Sequence, residues 1–451
     1  MRVLEFFSGI GGWRCALDRN PEYNFEVVQS FDINTASNEV YEHNFHSKPS
    51  PKCINSLSRK MLDKHRADVW CMSPPCQPYT RNNTSAKRDM DDQRANALLH
   101  LLFLLGEVQC RPRYFLLENV VGFENSDCCA KLLDTLAETG YWHVEFILTP
   151  SQFGIPNSRP RYYLVACLQS SLNAPPSPIW RREARSGSGG VESWGEVGGE
   201  RPGILREMPC RLLDGAEASL SEDPPRPLSE YLDLPAFDDA DLLIPLDVLL
   251  KPSSWCFDIV TPGDVHTACF TKAYSRYAKG TGSVLSTTGW ATAAAPSSDS
   301  SSEALGRNPT KRPRIEPDQL SDEKLGTQEN LESGKADAQD NREGKKCLSA
   351  EQINTLRLRY FAPRELLRLF GFPLAGAGAG RCTDEGFSFP DTLSRKKAYE
   401  LIGNSLNVDV AARLVHFLMQ HTGELASATS SEEIPGAKIN CAEKDLQRAT
   451  T

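Results

Sequence analysis

The 451-residue sequence has no apolar run long enough to cross a bilayer, which argues against a membrane-spanning helix. It has no Cys-x-x-Cys pair among its 14 cysteines, and only Cys128 and Cys129 are adjacent. Neither a zinc site nor a disulfide framework is indicated, and a reducing, intracellular compartment fits best. The sequence also lacks an excess of positive charge: 50 Lys and Arg against 59 Asp and Glu leave a net charge of -9. That is not the balance of a protein that coats nucleic acid, although a local basic groove is compatible with it. No internal repeat is present. The opening Met1-Arg2-Val3-Leu4-Glu5-Phe6-Phe7 reaches Glu5 and then glycines too soon for a secretory signal. What is present is an apolar fraction of 40%, enough for a sizeable core, in a length that suits two domains or one large domain with insertions.

The chain is organised around Ser73-Pro74-Pro75-Cys76-Gln77-Pro78-Tyr79-Thr80. Asp68 to Met72 reads as a buried central strand that stops at two prolines, because proline cannot donate to a sheet ladder. In open α/β sheets ligands sit outside the carboxyl ends of the strands. A thiol there, Cys76, is placed for nucleophilic attack; the alternative is a buried, inert cysteine.

Upstream, the strand Arg2 to Phe7 runs into Ser8-Gly9-Ile10-Gly11-Gly12, and a helix starts at Trp13. Strand, glycine turn and helix make a nucleotide-cofactor loop, in which glycines admit the ligand to the backbone and helix-start amides face it. A second strand, Phe25 to Phe31, ends at Asp32, about 20 residues after the glycines, where an acid can accept from ribose hydroxyls. Lys52-Cys53-Ile54-Asn55 is expected to end a third strand, with Asn55 facing an adenine edge.

Downstream, Asn96 to Val108 has helical apolar spacing, and Arg113 to Leu117 is a strand ending in Glu118-Asn119-Val120. Glu118 would lie near Cys76 if the two strands are neighbours. Trp142 to Thr149 and Tyr162 to Cys167 are further strands. Between them, Arg159 and Arg161 share one face if extended and could clamp a pyrimidine carbonyl or a phosphate.

The composition then changes. Ala184 to Gly203 is rich in Gly, Ser and charge, and Pro224 to Asp241 is acidic and proline-rich, so a flexible insertion is expected near 184–241, with structure resuming at Leu242. A second segment, 292–346, is expected to be a disordered linker. Within it Lys311-Arg312-Pro313-Arg314 is a candidate nuclear address. Order returns at Leu356, Pro363 to Phe370 is a helix, and Ser394 to Met419 carries Gly403-Asn404-Ser405-Leu406-Asn407-Val408 and an amphipathic helix. The tail 423–451 is expected to be disordered.

Phe7 to Gly12, Asp32, Ser73 to Gln77, Glu118-Asn119-Val120, Gln152 to Arg161 and Gly403-Asn404-Ser405, in this order, closely resemble the cytosine-5 methyltransferase family. Cys269-Phe270-Thr271-Lys272, Gly280 to Leu285 and Leu358 to Phe361 resemble the branch of that family that methylates aspartate tRNA. The N-terminal regulatory region of maintenance DNA methyltransferases has no room before the glycine loop. Two departures are Asn55, where the family usually has an acid, and the insertions in the recognition region.

The resemblance implies an α/β, Rossmann-like, S-adenosylmethionine-dependent methyltransferase fold with a smaller target-recognition domain carrying disordered insertions. The catalytic domain would begin at 1–168. Target recognition would occupy 169–291 and part of 347–422, whose last helix returns to the catalytic domain. S-adenosylmethionine would be held by Phe7, Ser8, Gly9, Ile10, Gly11, Gly12, Trp13, Asp32, Ile33, Ile54, Asn55, Pro75, Asn404 and Ser405. Cys76, Glu118, Arg159 and Arg161 would be catalytic, and Gln77, Cys269, Phe270, Thr271, Lys272, Tyr274 and Tyr277 would touch the substrate, with no metal. The implied partner is tRNA, bound to a monomer with weak DNA binding, in the cytoplasm and also the nucleus. A DNA cytosine-5 methyltransferase and a non-catalytic nucleic-acid-binding relative are the alternatives.

Overall fold

The computed structural model describes residues 1–75, 95–171, 203–211, 217–219, 224–288, 355, 357–375 and 386–422. Residues 184–202, 212–216 and 220–223 of the insertion, the 292–346 linker with Lys311 to Arg314, the tail, and the loop carrying Cys76 and Gln77 lie outside the described residues. One unit comprises Met1–Thr287 with Leu358–Thr451, and a second comprises Thr288–Arg357. In the second, Thr288 Oγ1 donates to Thr355 O at 2.6 Å.

The first unit is built on a six-stranded sheet of β1 (Arg2–Phe6), β2 (Glu26–Phe31), β3 (Val69–Met72), β4 (Tyr114–Val120), β5 (Tyr141–Leu148) and β6 (Arg161–Leu168), in the order β2-β1-β3-β4-β6-β5. The first four are parallel to one another, whereas β6 runs antiparallel to both β4 and β5. Side chains alternate across the sheet and feed two cores. Val3, Val69, Cys71, Tyr114 and Leu116 point into one, and Leu4, Phe6, Trp70, Met72, Phe115 and Leu117 into the other.

Helices cover both faces, which gives the three layers of an α/β fold. The first core takes residues of α1 (Gly12–Asp18), α2 (Thr35–Phe45) and the C-terminal helix Val408–His421. The second takes residues of α3 (Arg59–Asp63), α4 (Asn96–Glu107) and α5 (Asp127–Glu138). Burial on both faces is why the strands read as near-continuous apolar runs. Caps fix where helices begin: Asn34 accepts from Ala36 N and Ser37 N at α2, and Asn407 accepts from Val410 N at the last helix. No described helix is long and apolar enough to cross a membrane.

A smaller sheet pairs Asp258–Val260 in parallel with Ser283–Ser286, and the latter antiparallel with Leu358–Arg359. Beside it, Arg359 and Glu365 form a buried two-pronged ion pair, and Glu365 also accepts from Asp233 N and Ala362 N.

Two expectations are corrected. Lys52 to Asn55 does not end a strand: Ile54–Ser56 is a single 3₁₀ turn, with Leu57 N bonded to Ile54 O. Nor does order wait for Leu242. Residues 224–241 form short 3₁₀ turns at Leu228–Glu230, Leu234–Phe237 and Ala240–Leu242, anchored by buried Leu228, Tyr231 and Ala236. The prolines that suggested a flexible insertion start or precede these turns, where a missing N–H costs nothing.

Candidate active site

The chain leaves β1 for β2 on one side and returns to β3 on the other, so the loops after β1 and β3 diverge. That is the topological switch point at which an open α/β sheet takes a ligand. A cavity of about 570 Å³ lies there. It is lined after β1 by Phe7 and Gly9, after β2 by Asp32, Ile33 and Asn34, after β3 by Ser73, Pro74 and Pro75, and by Glu118, Asn119 and Val120 at the end of β4. Lys52, Cys53, Ile54 and Asn55 close one side, and Arg159, Arg161, Gly403 and Asn404 another. An adjoining recess is lined by Ser8, Ile10, Gly12, Trp13 and Ser405.

Asp32 is held in place by the loops it joins. Gly9 N donates to its Oδ2 at 2.8 Å and Asn34 N to its Oδ1 at 2.8 Å. Burial raises its pKa, and these two backbone bonds offset part of the shift. A carboxylate has about four acceptor sites, so two are left for a ligand. Gly9 takes φ +53°, and a Cβ there would meet nothing within 4 Å, so its backbone faces open cavity. Gly11 packs instead under Phe45 and Tyr41. Trp13 Nε1 donates to Ser73 Oγ at 3.1 Å, tying the glycine loop to the edge of β3.

An acceptor carboxylate, an open glycine backbone and the apolar Phe7, Ile33 and Ile54 fit an adenosine-bearing cofactor such as S-adenosylmethionine. Asp32 would take the ribose hydroxyls. Asn55 would face the adenine edge with an amide, which both donates and accepts.

Glu118 owes its position to a mismatch in strand length. β3 stops at Met72, opposite Leu117, so Glu118 is the first β4 residue with no partner on that side. On the other side it pairs with Tyr163, two residues from Arg161. Diagonal neighbours on one face of an antiparallel pair are within reach of long side chains. Arg161 Nε accordingly lies 3.5 Å from Glu118 Oε1, with both side chains mostly buried. Burial pushes the Glu118 carboxyl above its usual range, and Arg161, Arg159 and a hydrogen bond with Ser73 pull it part of the way back.

Arg159 does not pair with Arg161 as an extended clamp. β6 begins only at Arg161, and Arg159 turns inward until it is 2% exposed. Its guanidinium donates to Phe270 O at 2.8 Å, Gly403 O at 3.0 Å and Ser405 O, and lies over the Phe370 ring. Arg159 NH1 also lies 3.6 Å from Cys269 Sγ. Burial alone would raise that thiol's pKa, but Arg159 and Arg161 outweigh it and the net direction is down.

None of the expected substrate contacts from Cys269 to Tyr277 lines the cavity. Phe270 is fully buried, and Tyr274 is buried with its hydroxyl donating to Ser283 O and accepting from Phe361 N. Neither side chain is exposed to touch a substrate, and that expectation is corrected for these two residues. Thr271 N is bonded to Thr281 O, while Lys272 and Tyr277 are exposed. Ser73, Asn34 and Asn119 were assigned no role from the sequence. Ser73 stood in the quoted Ser-Pro-Pro run, and Asn34 sits at a helix start, where an amide is a cap signal.

Residues 1–188 match the family described as C-5 cytosine-specific DNA methylase. The tRNA (cytosine(38)-C(5))-methyltransferase of Rattus norvegicus is 33% identical over 93% of this chain and 99% of its own. A protein of Dictyostelium discoideum named DNA (cytosine-5)-methyltransferase is 31% identical over 97% of this chain and 99% of its own. The crystal structure of a Spodoptera frugiperda DNMT2 mutant is similar with a TM-score of 0.61 and 29% identity, covering 93% of this chain and 99% of that one. With a curated relative above 30% identity matched along its whole length, and a cavity where the family's motifs meet, the chain belongs to the C-5 cytosine methyltransferase family.

Proposed function

We propose that the protein transfers a methyl group from S-adenosylmethionine to C5 of a cytosine in tRNA, with the anticodon loop of aspartate tRNA as the target. The observation that carries this reading is the single cavity shared by Asp32, the Ser73–Pro75 edge and Glu118, which brings two carboxyl groups to the loop that continues into Cys76. The choice of tRNA rests on relatives named as tRNA methyltransferases and on the three stretches that resemble their branch.

Bound S-adenosylmethionine supplies an electrophilic methyl group on a sulfonium. Cytosine C5 is too weak a nucleophile to take it unaided. The Cys76 thiolate adds to C6, and the electron pair moves through the ring toward N3. Glu118, whose pKa burial raises, is the acid that would donate to N3 and carry part of that charge. Arg161 holds Glu118 and lines the cavity beside it, where its positive charge would favour the O2 side of the base. After C5 has been methylated it gives up its proton to water, the C5–C6 double bond returns as the C6–S bond breaks and Cys76 leaves as a thiolate, and N3 returns its proton to Glu118. A thiol pKa of about 8.5 must be lowered or bypassed for this to run near neutrality. An anticodon loop offers its base already unstacked, so little energy goes into extrusion.

The test is labelled methyl transfer to an aspartate tRNA transcript and to duplex DNA in parallel at one salt concentration. Faster transfer to the tRNA is expected, with the methyl in the anticodon loop by bisulfite sequencing, and faster transfer to DNA overturns the assignment. A 5-fluorocytosine substrate should trap a covalent adduct on the wild type and none on Cys76→Ala.

A further inference from the structure

We infer that Arg159 is a positioning residue that fastens the Cys269–Lys272 segment to the Gly403–Ser405 turn, so that cofactor and RNA each strengthen the binding of the other. The inference rests on the reading that the chain binds both.

Three stretches far apart in sequence meet at this side chain. Its NH1 donates to Phe270 O, inside the recognition segment, and its NH2 to Gly403 O and Ser405 O, at the turn that closes the cofactor side of the site. Arg159 lies between them at 2% exposure, so water does not compete for these donors. The two segments also touch directly. A Cβ on Gly403 would sit 2.2 Å from Thr271 C and 2.3 Å from Lys272 N, so the two backbones are as close as they can pack. Asn404 lines the cavity, and Ser405 lines the recess beside the glycine loop. On the other side of the contact, Lys272 is exposed, with Tyr277 beyond it at 69% exposure, on the surface that continues from Thr271.

The block therefore has a cofactor face at Asn404–Ser405 and a solvent face at Lys272, with one planar fork between them. A ligand that orders either face lowers the cost of ordering the other, and linkage makes the effect mutual. The five N–H groups of a guanidinium serve several carbonyls at once, and the single ammonium of lysine cannot span the same acceptors. Because Arg159 acts through Phe270, Gly403 and Ser405, its signature is a change in coupling and not only in rate.

The experiment measures anisotropy of a labelled aspartate tRNA transcript with and without saturating S-adenosylhomocysteine, which cannot donate a methyl. Wild-type protein should bind the RNA about fivefold or more tightly with the nucleoside present, and Arg159→Lys should reduce that factor to less than about twofold. A wild type that binds both ligands without mutual effect, or a variant that keeps the full factor, overturns the inference. A second measurement needs neither the variant nor RNA: hydrogen exchange of the wild type should slow at the amides of 269–274 when S-adenosylhomocysteine is added. Unchanged exchange there overturns the inference even if the RNA assignment holds, whereas slowed exchange with no RNA bound in the anisotropy assay overturns the RNA assignment and the coupling with it while supporting the link from the nucleoside to residues 269–274.

Discussion

Arg161 approaches Glu118 diagonally across the antiparallel β4–β6 pair, with Nε 3.5 Å from Oε1. Burial raises the pKa of this carboxyl, and Arg161 offsets only part of the rise. Glu118 should therefore act as a hydrogen-bond donor to the base, and Glu118→Ala should lower kcat by about 10²–10⁴-fold while cofactor affinity stays close to wild type. The sign of the pH dependence follows from the raised pKa. Donation is lost as pH rises through the folded value, so the wild type should show an alkaline fall that Glu118→Gln, which keeps an N–H donor, does not share. Single-turnover rates across pH would check it.

Asp32 accepts from Gly9 N and Asn34 N and keeps two acceptor sites facing the cavity. Asp32→Ala should weaken S-adenosylmethionine binding by about 1.5–3 kcal/mol, the usual worth of hydrogen bonds to a charged group. Calorimetry showing unchanged affinity would remove Asp32 from the cofactor site.

Glu5 is fully buried in β1, where it accepts from the Tyr41 hydroxyl at 2.8 Å. Burial pushes its carboxyl up from 4.5 to about 7 against opposing pulls from Tyr41 and Arg14. The folded state thus holds a proton that the unfolded chain has released. The resulting stability is fully present below the ordinary carboxylate range and is lost as pH rises to about 7. Denaturant titrations of wild type and Glu5→Gln at pH 5 and pH 8 should show the wild type losing on the order of 3 kcal/mol more across that interval.

Arg359 and Glu365 are 1% and 0% exposed along their side chains. Arg359→Ala should cost about 3–5 kcal/mol, because it strands a buried carboxylate. Replacing both partners with apolar residues should not restore full stability. Glu365 also accepts from Asp233 N and Ala362 N, and each buried donor left unpaired costs about 1–3 kcal/mol. Thermal melts of the single and double variants would separate the two contributions.

Much of the architecture was legible because β1 and β3 to β6 are largely buried on both faces and are bounded by glycines, prolines and polar strand ends. The glycine turn, Asp32 and Glu118 could be placed at strand edges from spacing alone. What escaped was decided by tertiary contact. Lys52 to Asn55 has strand-like composition, yet Ile54 fills the second core from a 3₁₀ turn. Phe270 and Tyr274 were expected among the substrate contacts because nothing local shows that Phe361, Tyr399 and Tyr360 will enclose them. Arg159 was legible as part of an Arg-x-Arg pair, but its carbonyl acceptors lie as far as 246 residues away. The buried turns at 224–241 were hidden by their prolines, whose meaning depends on whether Leu228 and Tyr231 find a surface to bury against.

The cofactor side of the cavity is assembled from both ends of the chain, with Gly9 and Asp32 near one and Gly403 and Asn404 near the other. Arg19 in turn is paired with Asp409, 390 residues downstream. During synthesis the glycine loop therefore emerges long before the turn that walls it. At about 5–20 residues per second, tens of seconds of translation separate the two. A nascent chain stalled before Gly403 should have its first four parallel strands and no competence to retain S-adenosylmethionine. Ligand capture would then come in one late step, when the helix Val408–His421 docks, and would not grow gradually as the sheet forms.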